Sequence, residues 1–360
     1  MFKKLSLVLA CLLLFSVTPV LAQVDYCEGN FDNDQDQDGT DAFVFKSDFG
    51  RSSLLDPCPV IECQTAEQLE MRIAQLETLL ANVTRGTVQG QDTIRFSGVN
   101  VQIVNGTGDT SGTVNGRGNL IVGYNELRSL PYVDDRSGSH NIVVGSYQNY
   151  PSSGGLVAGS WNTISAPYAS ISGGSGNVSS GVYSSVSGGV GNTASGGWAS
   201  VSGGIGNEAS YYYASVSGGA GNTASGEWSS VSGGRYNTAS GDYSFVGGGG
   251  GETEVDGNIA FARFSAVVGG GANIAGDPAL TDHTVGEQSS VSGGHDNTAS
   301  GQYASVGGGE HNTASATCAS VTGGFINTAS GGWSSISGGN SQSVTGFDDW
   351  RGGSCFFCEN

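Results

Sequence analysis

A segment near the start of the chain has the residue types and the spacing of a calcium-binding loop. Between Gly29 and Gly50, side chains with oxygen atoms recur at alternate positions, and Ala42 to Phe49 then predicts a short helix. Ca²⁺ is a hard cation that takes six to eight oxygen ligands, which a short loop leading into a helix can supply. The segment therefore predicts one calcium site; the alternative is a solvated acidic linker.

This segment resembles the dockerin-type calcium loop, a variant of the EF-hand loop that ends in Asp. The resemblance implies six ligands, which are Asn30, Asp32, Asp34, Asp36 through its backbone carbonyl, Asp38 directly or through water, and Asp41. Asn30 departs from the pattern because the first ligand is usually Asp, and Gln35 departs because a turn glycine is usual there. A dockerin has two such loops and this sequence has one, so the resemblance does not extend to binding a cohesin.

A second register of the same loop begins at Asp34 and places Gly39 at the turn. Its closing position is Phe45, which has no side-chain oxygen to offer a cation. Asp34, Asp36 and Asp38 are ligands in both registers. The calcium prediction therefore depends most on these three residues.

The N-terminal segment, from Met1 to Ala22, is typical of a secretory signal peptide. Lys3 and Lys4 precede an apolar run from Leu5 to Val17, and Val20-Leu21-Ala22 follows as the cleavage region. Loss of the two lysines with the signal changes the formal net charge from −19 to −21. Because phosphate binding needs a basic surface, this charge argues against a nucleic-acid partner. We expect an exported protein, secreted or retained at the cell surface, with no transmembrane segment after cleavage.

Six cysteines remain once the signal is removed, and an even number in an exported chain favours disulfides. They are Cys27, Cys58, Cys63, Cys318, Cys355 and Cys358. Cys27 paired with Cys58 or with Cys63 would close the unit of residues 23–63 that holds the calcium loop. The two cysteines of the C-terminal CFFC sequence can pair with each other, and they offer too few ligands for a zinc site.

Residues 65–84 predict one helix, because no glycine or proline interrupts them. Its apolar residues are spaced 4, 3, 4 and 3 apart, which is the spacing of a coiled-coil seam. They are Leu69, Ile73, Leu76, Leu80 and Val83. We expect an oligomeric stalk over residues 64–85; the alternative is a lone amphipathic helix packed on a neighbouring domain.

Residues 86–142, with an alternating stretch from Thr93 to Val104, are expected to form β-strands and the N-terminal cap of the repeats.

Most of the remaining chain repeats one unit of nearly constant length: an aliphatic anchor, Ser-Gly-Gly, Asn-Thr-Ala-Ser-Gly and an aromatic residue. The period is about 15 residues, and so short a period predicts a β-solenoid, in which each repeat is one coil stacked on the last. The anchors are Val143, Leu156, Ile171, Val186, Val201, Val216, Val231, Val246, Val267, Val291, Val306, Val321 and Ile336. At about 4.8 Å per coil they predict a rod roughly 60 Å long. The expected fold class is all-β, a parallel β-roll over residues 143–345 with a C-terminal cap over 346–360.

Two further columns run through the repeats. Asn follows most anchors at a constant spacing, from Asn162 to Asn327, and predicts a ladder of side-chain amides. The aromatic column, which precedes most anchors, consists of Tyr168, Tyr183, Trp198, Tyr213, Trp228, Tyr243, Phe264, Tyr303 and Trp333. We expect its rings to stack and stabilise the coils; the alternative is an exposed strip that binds sugars. Cys318 occupies the same position and is expected to pack there rather than act as a nucleophile.

The interior of each coil is expected to be thin. In one repeat, alternation places Ala199, Val201 and Gly203 on one face, and Ser200 and Ser202 on the other. A large buried side chain stabilises by roughly 1.5–3 kcal/mol, whereas ordering the backbone costs about 1–2 kcal/mol for every residue. Chains that share a face would bury more apolar surface, so we expect an oligomer.

The unit SVSGGxxNTASGxYA resembles the haemagglutinin-type repeat of YadA-like head domains in trimeric autotransporter adhesins. The resemblance covers the chain from Val143 to Gln342. It implies a left-handed parallel β-roll in which three chains lie side by side, together with a coiled-coil stalk. The order of the parts differs, because the helix precedes the repeats here. The family's membrane anchor is not found in this sequence, which ends in GFDDWRGGSCFFCEN.

Two coils are longer than the others and are expected to carry specificity. They run from Val246 to Val267 and from Val267 to Val291, and the second is the longer of the two. Insertions on one face of a repeat protein are often its binding site; the alternative is a pair of tolerated surface loops. The candidate ligand-contact residues in them are Glu252, Glu254, Asp256, Asp277, Asp282, His283 and Glu287.

The sequence predicts an adhesive structural protein that presents a repeated surface for multivalent attachment to cells, matrix or polysaccharide. A second hypothesis is an ice- or crystal-binding solenoid. Its two hydroxyl files would be Thr193 and Ser195, Thr223 and Ser225, Thr238 and Ser240, Thr298 and Ser300, Thr313 and Ser315, and Thr328 and Ser330. A third hypothesis, a polysaccharide-acting enzyme, needs converging acids or a nucleophile motif. No catalytic residue is predicted, since the four histidines fall at different positions of the coil; they are His140, His283, His295 and His311.

Overall fold

The computed structural model describes residues 66–352, with their side chains from Gln68 onward. The chain forms two compact units, residues 1–100 and residues 101–360. Three predicted features lie outside the described residues: the signal peptide, the calcium ligands, and the cysteines other than Cys318.

The described part of the first unit contains one helix and one hairpin. The helix is α1 (Ala66–Leu79), and the hairpin joins the antiparallel strands β1 (Val83–Val88) and β2 (Gln91–Phe96). Gln89 and Gly90 close the hairpin with φ of 50° and 81°. Both residues have the left-handed conformation that a two-residue hairpin turn of this type needs.

The helix is shorter than the sequence predicted. It ends at Leu79, so Leu80 lies in a turn and Val83 begins β1. Val83 and Thr84 are β-branched and favour a strand, and Gln89-Gly90 favours a hairpin turn. The heptad spacing continues by chance past the end of the helix, and its extension to Val83 is wrong.

The alternating stretch from Thr93 to Val104 is a strand only as far as Phe96, where β2 ends. Residues 97–119 contain turns and bends but no strand. Gly98, with φ of 71°, lies just past the end of β2. A glycine in this conformation ends the extended backbone that the alternating pattern predicted.

The second unit is a parallel β-solenoid, as the repeats predicted. Each complete coil adds one strand to each of two sheets, and each strand pairs in parallel with the equivalent strand of the next coil. We call the 15-stranded sheet the Val sheet and the 12-stranded sheet the Ala sheet, after their usual buried residues. At about 4.8 Å between strands, the Val sheet extends about 65 Å along the rod.

Most strands of the solenoid are very short, because turns follow closely on both sides. The strands of the Val sheet are Leu120–Val122, Ile142–Ser146, Leu156–Ser160, Ser170–Ile171, Ser185–Val186, Ser200–Val201, Ser215–Val216, Ser230–Val231, Phe245–Val246, Ala266–Val267, Ser290–Val291, Ser305–Val306, Ser320–Val321, Ser335–Ile336 and Trp350–Arg351. The strands of the Ala sheet are Thr163–Ile164, Val178–Ser179, Thr193–Ala194, Glu208–Ala209, Thr223–Ala224, Thr238–Ala239, Ile259–Ala260, Ile274–Ala275, Thr298–Ala299, Thr313–Ala314, Thr328–Ala329 and Ser343–Val344.

Alternation along the strands separates the core from the surface. Ala199 and Val201 are buried, whereas Ser200 is partly exposed and Ser202 is exposed, as the sequence predicted. Gly203 is only partly buried. The inward Val, Ile and Ala residues of successive coils form one continuous hydrophobic core. Each coil is therefore stabilised chiefly by its contacts with the coils before and after it.

The second coil has a different anchor from the one the sequence predicted. Val143, Val157 and Ile171 pair in register and are buried, whereas Leu156 aligns with the outward-facing Ile142. One repeat length of the later coils, counted back from Ile171, leads to Leu156, but the two coils between Val143 and Ile171 are shorter by a single position. The anchor is Val157, and the prediction of Leu156 is wrong.

The later coils gain their extra residue directly after the strand of the Val sheet. In the two shorter coils that begin at Val143 and Val157 this strand is long and continuous, as in Ile142–Ser146 and Leu156–Ser160. In the later coils it is short, as in Ser185–Val186, and pairing resumes beyond the glycines as single bridges such as Ser175 with Val190. The extra residue is therefore a bulge between two parts of one ladder.

The bulged residue is the first of the two glycines. A Cβ atom at Gly188 would meet no atom within 4 Å. A Cβ atom at Gly189 would lie 2.1 Å from the carbonyl oxygen of Gly204 in the next coil, and Gly189 has φ of 85°. Gly145, in one of the shorter coils, makes the same close approach to the next coil, at 2.1 Å. Gly189 therefore corresponds to Gly145, and Gly188 is the added residue.

The predicted asparagine ladder is present, and its members from Asn162 to Asn327 are buried. The backbone N–H of Asn222 donates to Oδ1 of Asn207, one coil earlier, at 2.9 Å. Its Nδ2 donates to the carbonyl oxygens of Gly218 and Gly234, at 2.9 Å each. The amides therefore bond more to the backbone than to one another, and they satisfy polar groups inside the rod.

Arg128 lies against the N-terminal end of this ladder. Its Nη2 donates to the carbonyl oxygen of Asn162 at 2.7 Å, and its Nε donates to that of Tyr147 at 2.8 Å. Burial lowers the pKa of Arg128, and the carboxylate of Asp134, 3.6 Å away, opposes this effect. The carbonyl oxygen of Asn162 also accepts from the N–H of Asn149 at 2.9 Å, so the guanidinium adds a second hydrogen bond there.

Candidate functional site

A column of aromatic side chains follows one outer corner of the coil. The rings of Tyr168 and Tyr183 are stacked with their centroids 4.9 Å apart, and those of Trp198 and Tyr213 are stacked at 5.2 Å. Most of these side chains are about half exposed, and Trp333 is the most exposed at 59 %. The column therefore lies at the surface, with its rings stacked along the rod.

The backbone at this corner explains why the rings align. The residues of the column are left-handed, with φ of 56° at Trp198 and 58° at Tyr213. In this conformation the N–H of Trp198 points back and donates to the carbonyl oxygen of Val182, at 2.9 Å. A left-handed conformation costs a bulky residue about 1–2 kcal/mol. Ring stacking and the hydrogen bond to the previous coil offset this cost.

The stacked part of the column suits stabilisation better than sugar binding. From Tyr168 to Trp228 the planes of successive rings are inclined by 7° to 19°. The ring faces are therefore turned toward the neighbouring coils and covered by neighbouring rings, whereas the ring edges reach solvent. A sugar stacks on a ring face, and in this stretch the faces are already occupied.

The column is interrupted toward its C-terminal end. Gln288, Cys318 and Asp348 occupy the aromatic position, with φ between 58° and 62°. Cys318 is partly buried there and is a free thiol. Tyr303 and Trp333 therefore each lie between two residues without rings. Within the described part of the chain, neither of them stacks on another aromatic ring.

A shallow groove of about 790 Å³ lies along the coils at this interruption. Val285 and Glu287 of the second insertion line one side, and Phe347 lines another. Small polar residues of the intervening coils, including Ser300 and Ser315, line it as well. The groove therefore combines hydroxyl groups, one carboxylate and one aromatic ring.

The two insertions lie in different turns of the coil. The first lies between the strands Phe245–Val246 and Ile259–Ala260, in a turn from the Val sheet to the Ala sheet. The second lies between Ile274–Ala275 and Ser290–Val291, in a turn from the Ala sheet to the Val sheet. They do not share one turn of the solenoid, and only the second adjoins the groove.

Two acidic residues of the insertions order their own loops. Asp256 accepts hydrogen bonds from the hydroxyl and the N–H of Thr253, and Asp282 accepts the same pair from Thr284. These bonds, the hydroxyl bond above all, hold the pKa of both carboxyl groups below its usual value. Both residues therefore serve the loops as turn-forming acceptors.

The remaining candidates of the insertions are distributed rather than gathered. Glu252 and Glu254 are exposed, and Asp277 accepts a hydrogen bond from the N–H of Ala279. Each of these three side chains lies at the surface of its own loop.

His283 and Glu287 lie on the side of the second insertion that faces the coils. Nδ1 of His283 is 2.6 Å from the carbonyl oxygen of Phe261, and the two rings are stacked. Glu287 lies 3.9 Å from the guanidinium of Arg263. Of the seven candidates, Glu287 alone also lines the groove.

The Ala sheet presents two files of hydroxyl groups to solvent. In the strand segment Thr193-Ala194-Ser195, the alanine is buried and both hydroxyl residues face outward. Other residue types interrupt the threonine file at Val178, Glu208, Ile259 and Ile274. The longest run of threonines is therefore three coils, Thr298, Thr313 and Thr328.

Two histidines that the repeat pattern separated are neighbours on the surface. The rings of His295 and His311 lie 6.2 Å apart, and Nδ1 of His311 is 2.6 Å from the carboxylate of Asp296. A search for identical positions misses this pair, because the two residues lie one position apart in successive coils. Across residues 66–352, no cluster of three or more His, Cys, Asp and Glu side chains is arranged to hold a metal ion. No helix in that range is long and apolar enough to cross a membrane.

Two comparisons with known proteins were negative. No protein-family model matches the chain, and neither does any curated protein. The functional interpretation therefore depends on the geometry of the solenoid and on the sequence patterns.

Proposed function

We propose that the chain is an exported adhesive rod that attaches to cells, matrix or polysaccharide through a repeated surface. The observation that supports this most directly is the register of the solenoid, which repeats outward positions coil after coil. Such files suit many weak contacts made together, whose combined strength exceeds that of any single contact. The formal charge of −19 makes nucleic acid a poor partner for this surface.

The resemblance of the repeats to YadA-like head domains supports the same proposal. In that interpretation the solenoid corresponds to an adhesin head. The protein is then either released to the medium or held at the cell surface by its N-terminal unit.

We propose that the protein is a homotrimer, and exposed apolar residues support this. Along α1, Leu69, Ile73 and Leu76 expose between 39 % and 46 % of their surface. On the outer face of the Val sheet, Leu120 and Ile142 are exposed where most later coils carry serine. Packing of these residues against other copies of the chain would remove apolar surface from water.

Attachment and assembly are tested together with the exported protein. Sedimentation equilibrium is expected to give three times the mass of one mature chain. Beads coated with the protein are expected to adhere to at least one of three surfaces: cells, extracellular matrix or polysaccharide. A monomer at every concentration would contradict the trimer, and beads that adhere to none of the surfaces would contradict the attachment function.

We also propose that the N-terminal segment binds one Ca²⁺ through the ligand set given above. Alternating oxygens at Asp34, Asp36 and Asp38 support this, since they fit either register of the loop. Calorimetric titration with Ca²⁺ is expected to show one site, which Asp34→Asn with Asp38→Asn removes. Asp109→Asn, a change outside the loop, is the control and is expected to leave the site intact. Full affinity in the double variant would contradict the assignment.

A second candidate function, binding to ice or another crystal surface, is favoured by the outward hydroxyl files of the Ala sheet. Threonines in successive coils repeat at about 4.8 Å, which is regular enough to match a lattice. Runs of three coils present only a small ordered array, so this function ranks second. Thermal hysteresis of the purified protein tests it, and a freezing point equal to the melting point would exclude it.

The proposal contains no catalytic step. Nε2 of His140 accepts a hydrogen bond from the N–H of Asn105, and His283 and His311 have the contacts described above. Cleavage of a polysaccharide by the purified protein would contradict this part of the proposal.

A further inference from the structure

We propose that the gap in the aromatic column at Cys318 is a binding slot for one pyranose ring of a neutral polysaccharide. Tyr303 and Trp333 are the walls of the slot, and Cys318 is its floor. This inference rests on the proposed attachment function, for which it supplies a ligand class and a site.

The regularity of the column sets the size of the gap. Successive ring centroids lie 4.9 Å apart at Tyr168 and Tyr183, and 5.5 Å apart at Tyr183 and Trp198. Rings two coils apart are therefore separated by about 10 Å, twice the strand spacing. In the stacked part of the column one aromatic ring fills that distance. At Cys318 the same distance holds a single sulfur atom beyond Cβ, so space for one ring remains.

The backbone holds both walls in the geometry of the stacked rings. Tyr303, Cys318 and Trp333 have φ of 59°, 58° and 59°. The N–H groups of Cys318 and Trp333 donate to the carbonyl oxygens of Gln302 and Thr317, at 2.8 and 2.9 Å. These are the bonds to the previous coil that the stacked residues also make. The backbone therefore places Tyr303 and Trp333 at the column position, one coil on either side of Cys318.

The walls of the slot are open to solvent. Tyr303 is 50 % exposed and Trp333 is 59 % exposed. From Tyr168 to Trp228 each ring stacks on the next, whereas no ring of the column stacks on Tyr303 or Trp333 in the described part of the chain. A ligand with an apolar face would remove this aromatic surface from water.

The surroundings of the gap favour a sugar over a purely apolar ligand. Gln302 and Thr317 directly precede Tyr303 and Cys318, and both line the adjoining groove. A pyranose has an apolar face of C–H bonds and a rim of hydroxyl groups, which match aromatic walls beside amide and hydroxyl side chains. The groove, at about 790 Å³, gives room for neighbouring sugar units of a chain. The negative charge of the protein and of Glu287 favours a neutral sugar over an acidic one.

The other two interruptions of the column do not form the same slot. Gln288 has a longer side chain than Cys318, so less space is expected at its position. Asp348 belongs to the last described coil, which has Trp333 on one side of the position only. Cys318 therefore combines a small side chain with an aromatic wall on each side.

The slot is tested in the full chain by titration with methyl glycosides and short neutral oligosaccharides. Binding is followed by calorimetry and by the change in tryptophan fluorescence. Cys318→Tyr places a ring in the gap and is expected to weaken binding by at least about tenfold, or 1.4 kcal/mol, without lowering thermal stability. Trp333→Ala removes one wall and is expected to have a similar effect on binding.

Two control variants keep the slot and are expected to bind within about twofold of the unmodified chain. Cys318→Ala keeps a small floor, and Trp198→Ala removes a ring from the stacked part of the column. Wild-type binding by Cys318→Tyr would overturn the proposal, and so would the absence of glycoside binding by the unmodified chain.

The outcomes also separate the slot from the attachment function. If Cys318→Tyr lost glycoside binding but the rod adhered to no surface, the slot would stand and the attachment function would fail. If the rod adhered equally well with and without this substitution, and glycoside binding were unchanged, the attachment function would stand and the slot would fail.

Discussion

Two adjacent glycines of each later coil have different physical roles. Gly188 lies in a bulge with open space around it, and Gly189 lies where the backbone of the next coil approaches closely. The first adds a residue to the coil, whereas the second permits the contact between coils. The repeat SGG therefore contains one replaceable glycine and one that is required.

Alanine substitution separates these two roles. Gly188→Ala is expected to change the free energy of unfolding by less than about 0.5 kcal/mol. Gly189→Ala is expected to lower it by about 3 kcal/mol or more, because the new Cβ meets the carbonyl of Gly204 and the backbone is left-handed. Thermal denaturation followed by circular dichroism measures both, and equal effects would contradict the assignment of the bulge.

The asparagine ladder makes a second prediction at this scale. Asn222→Ala removes the acceptor of the Asn237 N–H, at 2.9 Å, and the donor to Gly218 and Gly234. Buried groups left without partners cost about 1–3 kcal/mol each, so we expect a loss of about 3 kcal/mol. Thr223→Ala, at the neighbouring outward position, is the control and is expected to cost less than about 0.5 kcal/mol. Chemical denaturation of the two variants compares them directly; a cost for Asn222→Ala no larger than that of the control would show that the ladder contributes little.

At the scale of elements, the period of the sequence predicted most of the solenoid. It identified the inward Val and Ala residues, the Asn ladder and the aligned aromatic position, because all of these follow from one repeat length. It misplaced the anchor at Leu156, since the repeat length of the later coils does not apply between Val143 and Ile171. It extended the helix to Val83, because heptad spacing counts only apolar positions. That count ignores the strand preference of β-branched residues and the hairpin turn that follows.

The repeat pattern of the sequence could not predict several features that depend on the folded coil. The sequence gives the length of each insertion, but it does not show which turn of the coil the insertion occupies. The groove forms where the second insertion and Phe347 flank small residues of intervening coils, and these segments are distant in sequence. Cys318 was placed correctly in the aromatic column, but the exposure of Tyr303 and Trp333 on either side of it required coordinates.

Helix α1 carries a prediction about assembly. Leu69→Lys with Ile73→Lys places two charges on the exposed apolar face and is expected to give a monomer, because buried lysines would lose their hydration. Gln75→Lys, off the seam, is the control and is expected to keep the trimer. Sedimentation equilibrium measures both. A trimer of unchanged stability in the double variant would show that α1 is not the contact between chains.

At the scale of the whole molecule, the solenoid is a one-dimensional stack in which each coil contacts only its neighbours. Its stability is therefore approximately a sum of coils and of interfaces between coils. Whole coils are then removable units, provided that the register of Val, Asn and Ala positions is kept.

Deletion of residues 202–216 removes one full period and is expected to leave a folded rod one coil shorter. Deletion of residues 203–210 removes about half a period and is expected to disrupt the fold, because outward residues would then occupy inward positions. Circular dichroism and small-angle scattering distinguish these outcomes. Equal tolerance of the two deletions would contradict the register that the parallel sheets define.

The hydrogen bonds between coils run parallel to the long axis of the solenoid. Tension applied between its two ends therefore opens one interface at a time, rather than shearing all of them together. Each freed coil lengthens from about 4.8 Å to about 50 Å, the extended length of its backbone. A molecule fixed at one end and pulled at the other would extend roughly tenfold in small steps, dissipating mechanical work before the covalent chain becomes taut.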